Sequence, residues 1–329
     1  MNEPIAGRAN RWVAALAAAA VLAAPAPHAS AQVPAPLQEI RVGVAPSDQA
    51  TALLYGDSAG LFRKAGLQIT IVKMRSGAEI ASGVVGGALD IGGSQVVALI
   101  EGHARGVAFT MIAPTTYYSA DKRDSGLIVP TASPIKSPRD LAGKTVGIVS
   151  LQDIFTLSLM AWLTQNGVDP QGVHFLEVPP SAAAAAMDQG RLDAAVVFQP
   201  VMSQDVGSGN FRIAGYPLDA MGKRSEVSAY FAMPGWIAAH GDAVDRFTHV
   251  LHDASVYVGR HERETAPLLA AFSGVDPQIV ENMPRPGRAL YLDPNELQSF
   301  VDAAAKFKFI AKPFPIAELI SPAALKPTK

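Results

Sequence analysis

The chain of 329 residues contains no cysteine. This absence excludes disulfide bonds, thiol nucleophiles and cysteine metal ligands. It also removes the lipidated cysteine that would tether an exported bacterial protein to a membrane. Aromatic residues are scarce at 7%, whereas hydrophobic residues reach 49%, a composition typical of an α/β protein rich in alanine, valine, glycine and leucine. The sequence also lacks a P-loop and a dinucleotide-binding fingerprint, and we expect no cofactor.

Long apolar runs are missing except near the N terminus, where Arg8 and Arg11 precede the apolar residues 12–24 and the small residues 29–31. The apolar run is shorter than the about 20 residues of a transmembrane helix. This order predicts a signal peptide over residues 1–31, cleaved after Ala31. The remaining chain has 25 basic and 28 acidic side chains, a net charge of −3. We expect an exported periplasmic protein that does not bind nucleic acid or anionic lipid.

Strands alternate with helices of about ten residues twice along the chain, first over residues 39–113 and again over residues 144–207. Such alternation predicts βαβ units and mainly parallel sheets, and about 300 residues exceed one typical core. We therefore predict an α/β fold of two lobes, each with its own sheet and core. Lobe 1 comprises residues 32–117 and 227–329, and lobe 2 comprises residues 118–226. The segments 127–129 and 228–233 are placed to form a two-strand hinge.

The sequence GDSAG at residues 56–60 matches the serine motif of hydrolases. A nucleophile elbow requires a strand directly before the serine and a helix directly after it. Residues 50–55 are instead helical in pattern, and the only histidine before Ser58 is His28, inside the signal peptide. The motif therefore does not predict a hydrolase. His249 and His252 lie one helical turn apart, but a third metal ligand at sensible spacing is missing, and we predict no metal site.

Four segments, taken in order, carry a resemblance to a known family. They read IRVGVAPSDQATALLYGDSAGLFRKAGLQITIV, GGALDIGGSQVVALIEGHARG, SPIKSPRDLAGKTVGIVS and GRLDAAVVFQP. The chain resembles the periplasmic solute-binding proteins of ABC transporters in the nitrate, sulfonate and taurine group, also called SsuA/THI5-like or NMT1-like. The resemblance covers nearly the whole exported chain. It implies a type II periplasmic binding protein fold, a monomer, and an inner-membrane ABC permease as partner.

Ligands of open parallel sheets lie beyond the carboxyl ends of the strands, where helix N termini offer free N–H groups. Five turns predict such a site between the lobes. The candidate ligand-binding residues are Ser47, Asp48, Gln49, Arg75, Ser76, Gly77, Gly93, Ser94, Gln95, Tyr117, Ser150, Gln152, Asp153, Phe198, Gln199 and Tyr230. Ser76, Ser94 and Asp153 are equally explained as helix N-caps. Arg75 is the candidate clamp for a carboxylate or sulfonate, with a solvated surface arginine as the alternative.

These features predict a substrate-binding protein that closes its lobes on a small organic anion and presents the closed form to the permease. Two alternatives remain open at this stage. One is an enzyme of the pyrimidine-precursor type, which shares the fold but is intracellular and carries a cysteine-rich motif. The other is a periplasmic sensor that hands its closed state to a receptor. Asp48 and Asp153 favour a ligand that donates protons or carries an amine.

Overall fold

The computed structural model describes residues 36–325, together with Met1. The predicted cleavage site after Ala31 lies outside the described range. Within residues 36–325 no helix has both the length and the apolarity that crossing a bilayer requires.

Most strands of the two large sheets form in apolar or β-branched segments, whereas the short strands of the third sheet are more polar. They are β1 (Gln38–Val44), β2 (Leu67–Lys73), β3 (Ile91–Gln95), β4 (Thr110–Pro114), β5 (Thr116–Ser119), β6 (Ser125–Pro130), β7 (Thr145–Ile148), β8 (His174–Glu177), β9 (Ala194–Phe198), β10 (Phe211–Gly215), β11 (Arg224–Glu226), β12 (Ser228–Ala232) and β13 (Gly287–Arg288).

Half of the helices within residues 36–325 begin after a capping side chain or with a proline in the first turn. They are α1 (Thr51–Ser58), α2 (Leu61–Lys64), α3 (Gly77–Val85), α4 (Val96–Ala104), α5 (Ile154–Gln165), α6 (Pro180–Asp188), α7 (Val201–Gly207), α8 (Pro234–Ala239), α9 (Gly241–Arg260), α10 (Glu262–Ser273), α11 (Pro277–Asn282) and α12 (Pro294–Lys306). In α9 the apolar residues at helical spacing are buried as the sequence predicts, among them Val244, Phe247, Val250, Leu251, Ala254 and Val258.

The described strands form two five-stranded sheets and one three-stranded sheet. The first sheet has the order β2-β1-β3-β12-β4, the second β10-β6-β9-β7-β8, and the third β11-β5-β13. We call the first sheet with its helices lobe 1 and the second sheet with its helices lobe 2. In each five-stranded sheet the three strands on one side, including the edge strand, are parallel: β1 pairs with β2 and β3, and β7 pairs with β8 and β9. The other pairings in these two sheets are antiparallel.

The chain crosses between the lobes twice, and both crossings run through the third sheet. The first crossing uses β5, the second uses β11, and the two strands pair antiparallel. The sequence placed the hinge in residues 127–129 and 228–233, which is wrong in detail. Those residues lie in β6 and β12, inside the lobe sheets, and the crossing strands are shorter segments just outside them. The first predicted lobe boundary, between residues 117 and 118, falls within β5. The second, between residues 226 and 227, falls at the end of β11. Both boundaries stay a prediction.

The expectation of two separate cores is only partly correct. One face of the first sheet packs on α1 and α9 in a cluster confined to lobe 1, and one face of the second sheet packs on α6 and α7 in a cluster confined to lobe 2. The largest apolar cluster, however, contains buried residues of both lobes and runs through α4, α5 and α12. Helices α5 and α12 are in direct contact. The inner faces of the lobes therefore share one continuous core.

Candidate functional site

Four of the five turns predicted to surround the ligand lie at the carboxyl ends of parallel strands. Residues 47–49 follow β1, Ser76 caps α3 after β2, Asp153 caps α5 after β7, and residues 198–200 close β9. The prediction that residues 93–95 form a turn is wrong, because Gln95 still pairs with Ser228 of β12 and these residues end β3. Pairing with β12 extends this strand beyond the segment that its apolar residues alone define.

A buried ion cluster occupies the end of β1. The Asp48 carboxylate accepts hydrogen bonds from the Nε and Nη2 atoms of Arg285, from Nη2 of Arg288 and from the Thr51 hydroxyl at 3.1 Å. The side chains of Arg285 and Arg288 are only 3% and 4% exposed. Burial alone would raise the pKa of Asp48, but the charges of Arg288 and Arg285 outweigh it and hold that pKa below its ordinary value. The cluster carries a net charge of about +1.

Three of the buried donor groups that have no hydrogen-bond partner among the described residues belong to residues of β3, β12 and β13. They are the Ser94 hydroxyl, the Tyr230 hydroxyl and the Nε–H group of Arg288. Burial raises the pKa of Tyr230, while the positive charge of Arg288 opposes this rise. Buried donors in folded proteins are nearly always paired, and unpaired ones require an explanation. An ordered water or a bound acceptor would satisfy them.

Two predicted glycines shape this side of the cleft through close contacts. A Cβ atom on Gly77 would lie 2.4 Å from the Ser94 hydroxyl oxygen, and one on Gly93 would lie 2.9 Å from the ring of Tyr230 and from Val44. Any larger residue at either position would displace the neighbouring side chain. The glycines therefore leave room for the side chains of Ser94 on β3 and Tyr230 on β12.

Lobe 2 contributes a carboxyl group, from Asp124, and a side-chain amide, from Gln199. The backbone N–H of Gln199 donates to the carbonyl of Asp124 at 2.8 Å, and the Gln199 side-chain oxygen accepts from the N–H of Ser203 at 3.1 Å. The Oδ1 atom of Asp124 and the Nε2 atom of Gln199 are inaccessible and unpaired within the described chain. Burial raises the pKa of Asp124 to about 7, with the charges of Asp48 and Arg288 acting on it. Asp124 as a whole is half-buried.

The remaining lobe 2 candidates surround the N terminus of α5. Asp153 accepts a hydrogen bond from the N–H of Thr156 at 2.8 Å, and burial raises the pKa of Asp153 to about 6. Phe198 stacks on Phe155 with ring centroids 5.0 Å apart. Asp153 is therefore an N-cap, which is one of the two roles that the sequence suggests. Its contact with a ligand stays a prediction. The other candidates near this terminus are Ser150 and Gln152, which are half-buried and exposed respectively.

Arg75, the predicted anion clamp, lies in solvent. Its side chain is 94% exposed and its Nε atom lies 3.6 Å from the carboxylate of Glu79. Tyr117 lies in the third sheet with the guanidinium of Arg224 over its ring at 3.8 Å. The half-buried Ser47, Gln49 and Gln95 lie at the ends of β1 and β3. The contacts of these residues with a ligand stay predictions.

Sequence reasoning missed Asp124, Arg285 and Arg288. The two arginines flank a proline-glycine turn in the sequence RPGR and lie 237 and 240 residues from Asp48 along the chain. Their clustering around a turn was the available signal. Nothing local connects them to the first strand, and only the path of the chain after α11 brings them there.

The serine and histidines that the sequence raised as catalytic or metal-binding candidates make local contacts on helices. The Ser58 hydroxyl donates to the carbonyl of Tyr55 at 3.1 Å in the last turn of α1. His249 and His252 both lie near the carboxylate of Asp253, at 3.8 and 3.3 Å. Within the part of the chain that the structure describes, no group of three histidine, cysteine or acidic side chains is arranged to hold a metal ion.

Comparison with known proteins agrees with the fold that the sequence predicts. The family model described as NMT1/THI5 like matches residues 47–265, about two thirds of the chain. A Bacillus subtilis (strain 168) protein assigned as an aliphatic sulfonates-binding protein is 26% identical over 75% of this chain and 73% of its own length.

Solved structures share the same architecture. The periplasmic aliphatic sulphonate binding protein SsuA from Escherichia coli has a TM-score of 0.74 at 19% identity, over 89% of this chain and 94% of its own. The alkanesulfonate-binding protein SsuA from Xanthomonas axonopodis pv. citri, bound to MOPS, has a TM-score of 0.72 at 20% identity, over 87% and 99%. The nitrate-binding protein NrtA from Synechocystis PCC 6803 has a TM-score of 0.68 at 14% identity, over 83% and 82%. The predicted periplasmic binding protein fold is confirmed.

Proposed function

Because the chain belongs to the NMT1/THI5-like family, we propose that it is an exported solute-binding protein that captures a small organic anion between its two lobes. The closed, loaded form then docks on an inner-membrane ABC permease, to which the anion is delivered. The proposal agrees with the names of the relatives, which are binding proteins for sulfonates and nitrate. The same names favour a binding protein over the enzyme of the pyrimidine-precursor type.

One observation carries the proposal, namely the unpaired buried donors beside a net positive ion cluster in lobe 1. Ser94, Tyr230 and Arg288 each have one buried donor group without a partner among the described residues. A sulfonate or carboxylate has several acceptor oxygens and can take hydrogen bonds from all three groups. Since the site is buried, hydrogen bonds between its donors and an anion are stronger than they would be in water.

The direct test is ligand binding by protein that a Gram-negative host exports with its own N-terminal segment. Thermal unfolding of periplasmic protein is measured with alkanesulfonates, nitrate, aromatic carboxylates and pyrimidines. A ligand at about 1,000 times its Kd stabilises the fold by about 4 kcal/mol, which is a clear rise in melting temperature. We expect such a rise with an organic anion. Failure of every anion to bind, or chemical turnover of a bound compound, would contradict the proposal.

A matched pair of variants tests the site itself. Tyr230→Phe removes one buried hydroxyl and keeps the ring, so we expect the affinity for the best anion to fall about tenfold. Tyr291→Phe makes the same change at an exposed tyrosine and should leave the affinity unchanged. Equal affinities for the two variants would show that the Tyr230 hydroxyl does not contact the ligand.

A further inference from the structure

Both crossings between the lobes run through the third sheet, whose tyrosine and arginine side chains make contacts that the proposed function does not use. Resting on the proposed function, we propose that Arg224 and Tyr117 are positioning residues of this hinge. They restrict the relative arrangement of the lobes and so set the affinity for every ligand, without touching the ligand. Tyr117 then acts in the hinge, in place of the ligand contact that the sequence predicts.

Two groups from neighbouring strands lie against the ring of Tyr117. The guanidinium group of Arg224 lies over the ring, with its carbon 3.8 Å from the ring centroid. On β13, a Cβ atom on Gly287 would overlap the ring carbons, so the backbone of Gly287 lies directly against the ring. Gly287 is also the register partner of Tyr117. The ring therefore connects all three strands of the third sheet.

Arg224 also connects the third sheet to α12. Its Nη1 atom donates to the carboxylate of Glu296, whose side chain is 19% exposed. A second bond between the same two elements runs from the N–H of Asp293, the N-cap of α12, to Oε2 of the buried Glu226 at 3.1 Å. Helix α12 in turn packs on α4 of lobe 1 and on α5 of lobe 2. The second crossing strand is therefore joined to a helix that contacts both lobes.

The other face of the first crossing strand is joined to lobe 2. Tyr118 points away from Tyr117, because successive side chains of a strand alternate between its faces. Tyr118 is fully buried, and its hydroxyl donates to Asp219 at 2.6 Å. The carboxylate of Asp219 also accepts from Arg123 at 2.7 Å, and the segment Pro217–Met221 packs on α5. The two neighbouring tyrosines of β5 are therefore fixed to different parts of the molecule.

These contacts restrict the arrangements that the lobes adopt before a ligand binds. A ligand binds more tightly to a protein whose free form is already restricted, because less conformational freedom is lost on closure. Loss of the Arg224 contacts should therefore weaken the binding of every ligand by the same factor, since the cost arises in the hinge. A residue that touches the ligand would instead affect chemically different ligands to different extents. For a partly exposed guanidinium on a ring and a carboxylate, the expected factor is about two- to fivefold.

The first measurement is the distance between the lobes without ligand. Because the chain contains no cysteine, Ser82→Cys on α3 and Ala185→Cys on α6 give one exposed site for a spin label in each lobe. Pulsed electron resonance then yields the distribution of distances. We expect Arg224→Ala to broaden it, and Arg224→Lys, which keeps the charge but not the planar group, to broaden it less. Lys223→Ala, at the exposed neighbouring position, should leave it unchanged.

The second measurement is calorimetry of the same variants with 1-propanesulfonate, butyrate and nitrate. We expect Arg224→Ala to weaken each anion that binds by the same factor, about two- to fivefold, and Tyr117→Leu to act likewise. The Arg224 side chain is 43% exposed, so its removal should leave the protein folded, which circular dichroism checks.

The two measurements separate this inference from the proposed function. An unchanged distance distribution in Arg224→Ala, or losses of affinity that differ severalfold between the anions, would contradict the inference while the proposed function stands. If no organic anion binds the unsubstituted protein, the proposed function fails, and the distance distribution still decides whether Arg224 restricts the lobes.

Discussion

The buried ion cluster at the end of β1 makes a quantitative prediction about stability. Asp48→Ala removes the shared carboxylate and leaves the guanidinium groups of Arg285 and Arg288 buried beside each other, without their common acceptor. The three side chains are between 3% and 8% exposed, so water cannot replace the lost partner. Breaking a buried ion pair in this way costs about 3–5 kcal/mol. We expect the free energy of unfolding to fall by that amount.

The measurement is equilibrium unfolding in urea, followed by circular dichroism and by tryptophan fluorescence. For a slope near 3 kcal/mol per molar urea, the midpoint should fall by about 1 M or more. Asp48→Asn keeps the shape and one acceptor oxygen but loses the charge, and its midpoint should lie between those of the other two proteins. Coincident curves from the two probes are needed before the free energies are compared.

The control is Arg75→Ala, which breaks an exposed pair with Glu79. Exposed pairs of this spacing contribute about 0.5 kcal/mol or less, so its midpoint should hardly move. If Asp48→Ala also shifted the free energy of unfolding by less than about 1 kcal/mol, the cluster would not be desolvated as the structure indicates. The argument that the buried arginines depend on Asp48 as their common acceptor would then be refuted.

Two further predictions concern buried groups elsewhere. Burial raises the pKa of Glu226 to about 8, and the nearby charge of Glu296 adds to the rise. This folded pKa lies above the unfolded value, so protonated Glu226 favours the folded state. Its contribution to stability is full below about pH 4.5 and is lost as the pH rises through 8. Glu226→Gln should therefore reduce the loss of melting temperature between pH 5 and 8.5, and an unchanged loss would rule out Glu226 as its cause. Gly92→Ala places a Cβ about 2.5 Å from the ring of Phe231 and should cost about 1–3 kcal/mol through overpacking. A Cβ atom on Gly235 would have no atom within 4 Å, so Gly235→Ala should change the free energy of chemical unfolding far less. Equal changes in the two variants would contradict the steric explanation.

The corrections to the sequence-based fold share one cause, which is pairing between distant segments. Residues 93–95 read as a turn because glycine and serine follow a short apolar run, yet β12 pairs with them and extends the strand. The hinge was assigned to strand-like, largely apolar segments, whereas the crossings use β5 and β11, whose tyrosine and arginine side chains have no simple apolar pattern. The inner faces of the lobes share a core because α5 and α12, far apart in sequence, meet there.

The sequence by itself determined the features that depend on neighbouring residues. It specified the alternation of strands and helices, the caps at Ser76 and Asp153, and the buried face of α9, because capping bonds and helical periodicity span only a few residues. Only the tertiary structure decided which charges meet at the mouth of the sheets. Asp48 and Arg285 lie 237 residues apart, and Arg75 differs from Arg288 in burial rather than in chemistry. Burial and pairing of charges depend on the whole path of the chain, and no local pattern records them.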